Sequence, residues 1–169
     1  MRTYEERAKD FIAEVYPYIK SCYSYSSMCK AIRAFNHEHH RKVRVVSGST
    51  RIALITSDYV VKMNYDGWGS GTFGNCNDEV RMYRQAVKDG YAHLLAKITP
   101  YRKDYNRTFY IMPKITGIEK KPYDADEYVN GHEYLWLYKN IGDRHNGNYG
   151  WKDGHIVMID YAYNSFSGY

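Results

Sequence analysis

Three features of the amino-acid sequence predict an α+β fold. Residues 3–20 and about 25–38 have the apolar spacing of amphipathic helices. Apolar and polar residues then alternate in three short segments, which is typical of β-strands. Near the end of the chain, Asp153-Gly154 separates two apolar segments, and this dipeptide is the strongest short-range signal for a β-hairpin.

The first two helices and the strands follow from local periodicity. Each helix has one apolar face, formed by Ala8, Phe11, Ile12, Val15 and Ile19 in the first and by Met28, Ile32 and Phe35 in the second. Strands are predicted over 43–46, 51–56, 59–65, 94–99 and 107–113.

Two further helices and the hairpin complete the predicted order. A glycine-rich loop, 67–74, leads to a helix that begins near Asn77, a favourable N-cap residue. A helix over about 125–140 holds Leu135, Leu137 and Tyr138, and the hairpin covers 149–163. Residues 69–74 also spell the GxGxxG of dinucleotide-binding folds. Because no alternating parallel strands follow, we interpret this segment as a connector.

Composition limits the class of protein and its partners. A chain of 169 residues with 44% hydrophobic residues predicts one globular domain. The net charge of +5 favours acidic partners, but without a long basic run it does not predict a nucleic-acid partner. No apolar stretch reaches the roughly 20 residues that span a bilayer. Three cysteines cannot all pair within one chain, so we expect a cytoplasmic location.

The segment that predicts chemistry is Asp143–Asn148 together with the hairpin that follows it. Folding the hairpin at Asp153-Gly154 brings Asn148 nearly opposite Ile159 and Asp160. Two oxygen ligands for a hard cation and a further carboxylate then meet at one end of the hairpin, as phosphoryl transfer requires. The alternative is an ordinary loop, since aspartate and asparagine are common turn residues.

This pattern resembles the catalytic loop of protein kinases. Gly142-Asp143-Arg144-His145, then Asn148 and later Ile159-Asp160, is most similar to the phosphoinositide-kinase variant of that loop. The resemblance implies Mg²⁺ and ATP as cofactors and a protein-kinase-like fold. That fold would comprise a helical N-terminal extension over 1–40, an antiparallel-sheet N-lobe with one helix over 41–116, a hinge, and a much reduced C-lobe over 117–169.

The resemblance implies a role for each matching residue. Asp143 would orient or deprotonate the acceptor hydroxyl, while Asn148 and Asp160 would bind the metal. Lys62 lies in a segment similar to the kinase strand whose lysine holds the α- and β-phosphates, and its expected partner is Glu79. The alternatives are an edge lysine that reaches solvent and a glutamate that favours a helix N-terminus.

Two other segments are similar to nucleotide-binding parts of the family. The turn between the first two strands would cover the phosphates through Gly48, Ser49 and Thr50, although it has one glycine where kinases have three. The segment 110–115, which contains Met112, resembles the hinge that contacts adenine. Tyr161-Ala162 stands where the family has Phe-Gly, so the resemblance does not extend to control by a flipping loop.

The predicted function is a minimal kinase that transfers the γ-phosphoryl group of Mg-ATP to a protein hydroxyl. Only nine residues follow Asp160, too few for an activation segment or peptide-binding helices, so we expect a protein partner or the N-terminal helices to complete the acceptor site. Such compactness resembles kinases that viruses and other pathogens use as effectors in the host cytoplasm. One alternative is a kinase-like module that binds nucleotide or inhibits a host protein without transfer. The other is a lipid or small-molecule kinase.

Overall fold

The computed structural model describes residues 2–65, 74–117 and 129–165. The chain divides into two compact units. Unit 1 comprises Met1–Thr72 and Thr99–Lys114, and unit 2 comprises Phe73–Ile98 and Ile115–Tyr169. The predicted α+β class is confirmed, because the described residues form four α-helices and an antiparallel five-stranded sheet.

Unit 1 is built from two helices and the five-stranded sheet. Helix α1 (Tyr4–Ile19) and helix α2 (Tyr25–Glu38) lie within a residue or two of their predicted bounds, and all eight predicted face residues are buried. The strands are β1 (Arg44–Ser47), β2 (Arg51–Ile55), β3 (Tyr59–Asn64), β4 (Thr99–Tyr101) and β5 (Phe109–Pro113). Their order is β1-β2-β3-β5-β4, and each neighbouring pair is antiparallel.

One hydrophobic core joins the two helices to the sheet of unit 1. It contains the apolar faces of α1 and α2 together with residues such as Leu54, Val61 and Ile111 of the sheet. The rings of Phe11 and Phe35 meet edge to face with centroids 5.7 Å apart. The two helices therefore pack on the sheet of unit 1.

Unit 2 contains two helices, a short 3₁₀ segment and a three-stranded sheet. The helices are α3 (Cys76–Asp89) and α4 (Gly131–Asn140), and the 3₁₀ segment is Ala92–Leu94. The sheet has the order β6-β7-β8, formed by Thr116–Gly117, Tyr149–Lys152 and His155–Met158. Asp153 and Gly154 both have positive φ, 51° and 82°, so the predicted hairpin turn is confirmed as the primed type.

The predicted strand over 94–99 is wrong. Leu95–Ile98 lies outside any strand, and β4 begins only at Thr99. Ala96 N–H donates to the carbonyl of Met158 at 2.8 Å, and Leu95 forms an isolated bridge with Met158. The segment is apolar because this tertiary contact buries it, and not because it forms a strand.

Helix starts were the other source of error. The N-cap of α3 is Asn75, not Asn77. Oδ1 of Asn75 accepts from the N–H groups of Asn77 and Asp78, and the Asp78 carboxylate accepts from the N–H of Asn75, which together form a capping box. Helix α4 begins at Gly131 after the N-cap Asn130, later than the predicted start at about 125. Residues 125–128, like the glycine-rich segment 67–73, lie outside the described residues.

Among the described residues, no helix is long and apolar enough to cross a membrane. All three cysteines are free thiols. The cytoplasmic location itself stays a prediction.

Candidate functional site

The predicted catalytic loop leaves the end of α4 in unit 2. Ile141 is buried and forms an antiparallel bridge with Asn164, and Gly142 N–H donates to the carbonyl of Tyr163 at 2.9 Å. A 3₁₀ turn over Asn146–Asn148 then leads directly into β7. The loop is therefore anchored to secondary structure at both ends.

Asn148 links the loop to the end of the hairpin. It is 7% exposed, and its Nδ2 donates to the backbone carbonyl of Asp143 at 3.0 Å. Its own carbonyl accepts from the N–H groups of Ile159 at 2.7 Å and Asp160 at 3.4 Å. The predicted position of Asn148 opposite Ile159 and Asp160 is confirmed, and one residue holds both Asp143 and Asp160 near it.

The side chain of Asp143 is accessible. Its carboxylate is 45% exposed and lies 3.7 Å from Nε2 of His145, too far for a hydrogen bond. In the parts of the chain that the structure describes, this carboxylate accepts no hydrogen bond, so it can receive one from a hydroxyl group. Gly147 N–H donates to Nδ1 of His145 at 3.0 Å, so a neutral His145 carries its proton on Nε2, the atom facing Asp143.

Glu79 is fully buried in the first turn of α3. Its Oε1 accepts from the N–H of Tyr161 at 3.3 Å. Tyr161 is 1% exposed, and its hydroxyl donates to the carbonyl of Ala96. Burial, and then the charge of Glu79, raise the pKa of Tyr161 well above its usual range, so this phenol stays protonated.

The segment after Asp160 is fixed by a second set of contacts. Asn164 is 2% exposed, and its Nδ2 donates to the carbonyls of Tyr161 at 2.8 Å and Asp78 at 3.0 Å. Ala162 is completely buried. Asp160 therefore lies between two anchored points, the carbonyl of Asn148 on one side and Tyr161–Asn164 on the other.

The other predicted nucleotide-binding residues lie in unit 1. Lys62 is 8% exposed in β3, where it pairs with Ala53 and Tyr110, so the edge-lysine alternative is wrong. Gly48 N–H donates to the carbonyl of Arg51 at 2.9 Å, which leaves Ser49 and Thr50 as the tip of the β1–β2 turn. Met112 is buried in β5, two residues before unit 1 ends at Lys114. The ion pair between Lys62 and Glu79 stays a prediction.

The oxygen atoms of Asn148 and Asp160 in unit 2 are of the type that binds a hard cation whose other ligands are water and phosphate. No described residue donates to Oδ1 of Asn148, and the backbone N–H of Asp160 donates to the carbonyl of the same residue at 3.4 Å. In the described ranges, no group of three or more histidine, cysteine, aspartate or glutamate residues forms a metal cage. One carboxylate and one amide oxygen, completed by water and phosphate oxygens, fit the way proteins bind Mg²⁺.

Sequence reasoning missed several residues that position the site. These residues are Tyr161 and Asn164, which fix the segment after Asp160, and His145, which faces Asp143. Each contact joins residues that no local sequence pattern relates. In the structure, a Cβ at Gly147 would lie 2.8 Å from Cε1 of His145, so the ring position depends on glycine at this residue. A glycine two residues after a histidine allows the ring to fold back over the loop.

No protein-family model matches this chain, and no curated protein matches it either.

Proposed function

We propose that this chain is a kinase with a protein-kinase-like fold, which transfers the γ-phosphoryl group of Mg-ATP to a hydroxyl group of a protein. The observation that carries the proposal is the pair of contacts made by Asn148. Its side chain holds the backbone of Asp143, and its carbonyl holds Ile159 and Asp160. A single buried residue thus contacts the backbone of both Asp143 and Asp160, and its own amide oxygen would be the second metal ligand.

The roles of the residues follow from their exposure and chemistry. Asp160 and Oδ1 of Asn148 would hold the magnesium ion, which, when bound, neutralises negative charge on the phosphates. Lys62 is assigned to the α- and β-phosphates, with Glu79 as its partner. Ser49 and Thr50 are assigned to the phosphates and the Met112 segment to adenine, with Gly48 shaping the turn.

Asp143 is assigned to the acceptor. A half-exposed carboxylate that no described donor occupies can accept the hydroxyl proton and orient the oxygen for attack. The Nε2–H of His145 faces the same carboxylate and limits the directions from which a hydroxyl can approach it. Positioning of this kind supplies much of the rate in phosphoryl transfer.

The test compares Asp143→Asn with Asp153→Asn in transfer from γ-labelled ATP. Asp143→Asn keeps the shape of the side chain and removes its basicity, so we expect transfer to fall about a hundredfold or more. Binding of Mg-ATP should be unchanged. Asp153→Asn makes the same chemical change in the exposed hairpin turn, where asparagine tolerates the positive φ, and should transfer normally.

The labelled products decide between the proposal and its alternatives. The protein is incubated alone and with a mixture of acceptor proteins, and labelled side chains are located by mass spectrometry. Undiminished transfer by Asp143→Asn would remove Asp143 from the reaction. Binding of Mg-ATP without any transfer would indicate a kinase-like binding module instead.

A further inference from the structure

The segment Tyr161–Ser165 folds back onto the residues that lead into the catalytic loop. Gly142 N–H donates to the carbonyl of Tyr163 at 2.9 Å, and Ser165 N–H donates to the carbonyl of Asn140 at 2.8 Å. This pairing lies wholly within unit 2. We call Tyr161–Ser165 the C-terminal clasp.

Asn164 is the residue at the centre of the C-terminal clasp. Its backbone forms the antiparallel bridge with Ile141, and its side chain is 2% exposed. The side-chain Nδ2 donates to the carbonyls of Tyr161 at 2.8 Å and Asp78 at 3.0 Å, which uses both hydrogens of the amide. Asn164 therefore joins the start of the catalytic loop, the residue after Asp160 and the first turn of α3.

The C-terminal clasp and Asn148 surround the predicted catalytic and metal-binding residues with backbone contacts. On one side, Asn148 donates to the carbonyl of Asp143 and accepts from the N–H of Asp160. On the other side, the clasp begins directly after Asp160 and pairs with Gly142, which directly precedes Asp143. The backbone is thus held on both sides of the site, so a change in the clasp should reach Asp160 and the loop together.

The position of Asp160 matters because magnesium tolerates little change in the geometry of its ligands. Mg²⁺ requires near-octahedral oxygen ligands at about 2.0–2.1 Å. Mutation of a residue that holds a metal ligand in place typically lowers metal affinity by about 10–100-fold. Asn164 has the contacts of such a residue, since it holds the carbonyl of Tyr161, the residue next to Asp160.

We propose that Asn164 is a positioning residue that, through the C-terminal clasp, keeps Asp160 in the place where it binds magnesium. This inference rests on the proposed function, since it concerns the metal ligand of the same site. A positioning role predicts two results that a general loss of stability does not. The backbone should open locally at both ends of the clasp, and the folded protein should require more magnesium.

Local opening is measured by amide hydrogen exchange in the protein without nucleotide or metal. Asn164→Ala removes both side-chain hydrogen bonds, so we expect the amides of Gly142 and Ile159, which flank the clasp contacts, to exchange on the order of tenfold faster. The amide of Leu54, in β2 of unit 1, should exchange as in the wild type. Equal acceleration of all three amides, or acceleration of Gly142 alone, would overturn the coupling.

The matched control is Asn36→Ala in unit 1. Asn36 also makes two side-chain hydrogen bonds, to the N–H and the carbonyl of Val43 at 3.0 and 2.8 Å. Its loss should leave the exchange of Gly142 and Ile159 unchanged. If Asn164→Ala does not fold, Asn164→Ser takes its place, and we expect the same pattern with a smaller shift because a hydroxyl group retains one donor.

Magnesium affinity is measured by thermal unfolding with saturating ATP and increasing Mg²⁺. We expect Asn164→Ala to raise the magnesium concentration that gives half of the magnesium-dependent stabilisation by about tenfold. Asn36→Ala should lower the Tm at every magnesium concentration and leave that half-saturation value unchanged. In transfer assays, excess Mg²⁺ should restore the kcat of Asn164→Ala to that of the wild type. A magnesium requirement that Asn164→Ala leaves unchanged would overturn the positioning role.

The two readouts separate this inference from the proposed function. Faster exchange of Gly142 and Ile159 with an unchanged magnesium requirement would overturn the role of Asn164 while the kinase activity stands. A wild type that Mg-ATP does not stabilise would overturn the proposed function and the positioning role with it, and hydrogen exchange would still decide whether the clasp couples the two ends of the site.

Discussion

Asn148 shows how one buried side chain can organise a site. Its amide donates to Asp143, and its carbonyl accepts from the backbone of Ile159 and Asp160. The position opposite Asp160 was predictable because a two-residue turn determines the hairpin register. The bond to Asp143 was not, since it depends on how the intervening loop folds back.

Glu133 offers a residue-level test of unit 2. Burial acts to raise its pKa, but hydrogen bonds from His93 and Asn130 outweigh burial and hold the pKa below its usual 4.5. Because the folded pKa is lower than the unfolded one, this stabilisation is fully present above about pH 4.5 and is lost as the pH falls through the folded value.

We therefore expect Glu133→Gln to lower the free energy of unfolding by about 0.5–1 kcal/mol near neutral pH. The difference from the wild type should shrink as the pH falls below about 4.5. Denaturant titrations of both proteins across this range measure it. A difference that stays constant down to about pH 3 would show that the charge of Glu133 does not contribute.

Among the elements, those with local signals were predicted best. Apolar periodicity placed α1 and α2, and alternation placed β2 and β3, because each pattern lies within the element itself. The strand predicted over 94–99 failed because Ala96 is buried by Met158, far away in sequence. The start of α3 was missed because Asn75 and Asn77 both make good caps, and Asp78 decides between them.

The hairpin between Asn148 and Asp160 depends on its turn. Gly154 has a φ of 82°, where a Cβ is strained, so Gly154→Ala should destabilise unit 2 by about 1–2 kcal/mol. The matched control is Gly131→Ala at the first residue of α4, where φ is not positive and an added Cβ meets nothing within 4 Å.

We expect the Gly131→Ala control to have unchanged or slightly higher stability, since alanine is the better helix former. Thermal unfolding of both variants beside the wild type measures the difference. If Gly154→Ala is as stable as Gly131→Ala, the positive φ of Gly154 does not contribute to the stability of unit 2.

At the scale of the whole molecule, the chain forms two compact units, and the predicted residues are divided between them. Lys62 and the β1–β2 turn belong to unit 1, while Glu79, Asp143, Asn148 and Asp160 belong to unit 2. The N-terminal helices contribute Phe11 and Phe35 to the core of unit 1, to which they belong. Local sequence patterns could not predict this packing, because it joins residues more than 20 positions apart.

Magnesium-dependent binding of ATP is the property on which the proposed function depends most directly. It is measured by the thermal unfolding of the wild type, Asp160→Asn and the control Asp153→Asn, each with ATP and with or without Mg²⁺. At about 100 times its Kd, Mg-ATP should stabilise the wild type and Asp153→Asn by about 2.7 kcal/mol. Asp160→Asn should lose the part of this stabilisation that requires magnesium. A wild-type Tm that Mg-ATP leaves unchanged, or an Asp160→Asn variant stabilised as much as the wild type, would contradict the proposed function.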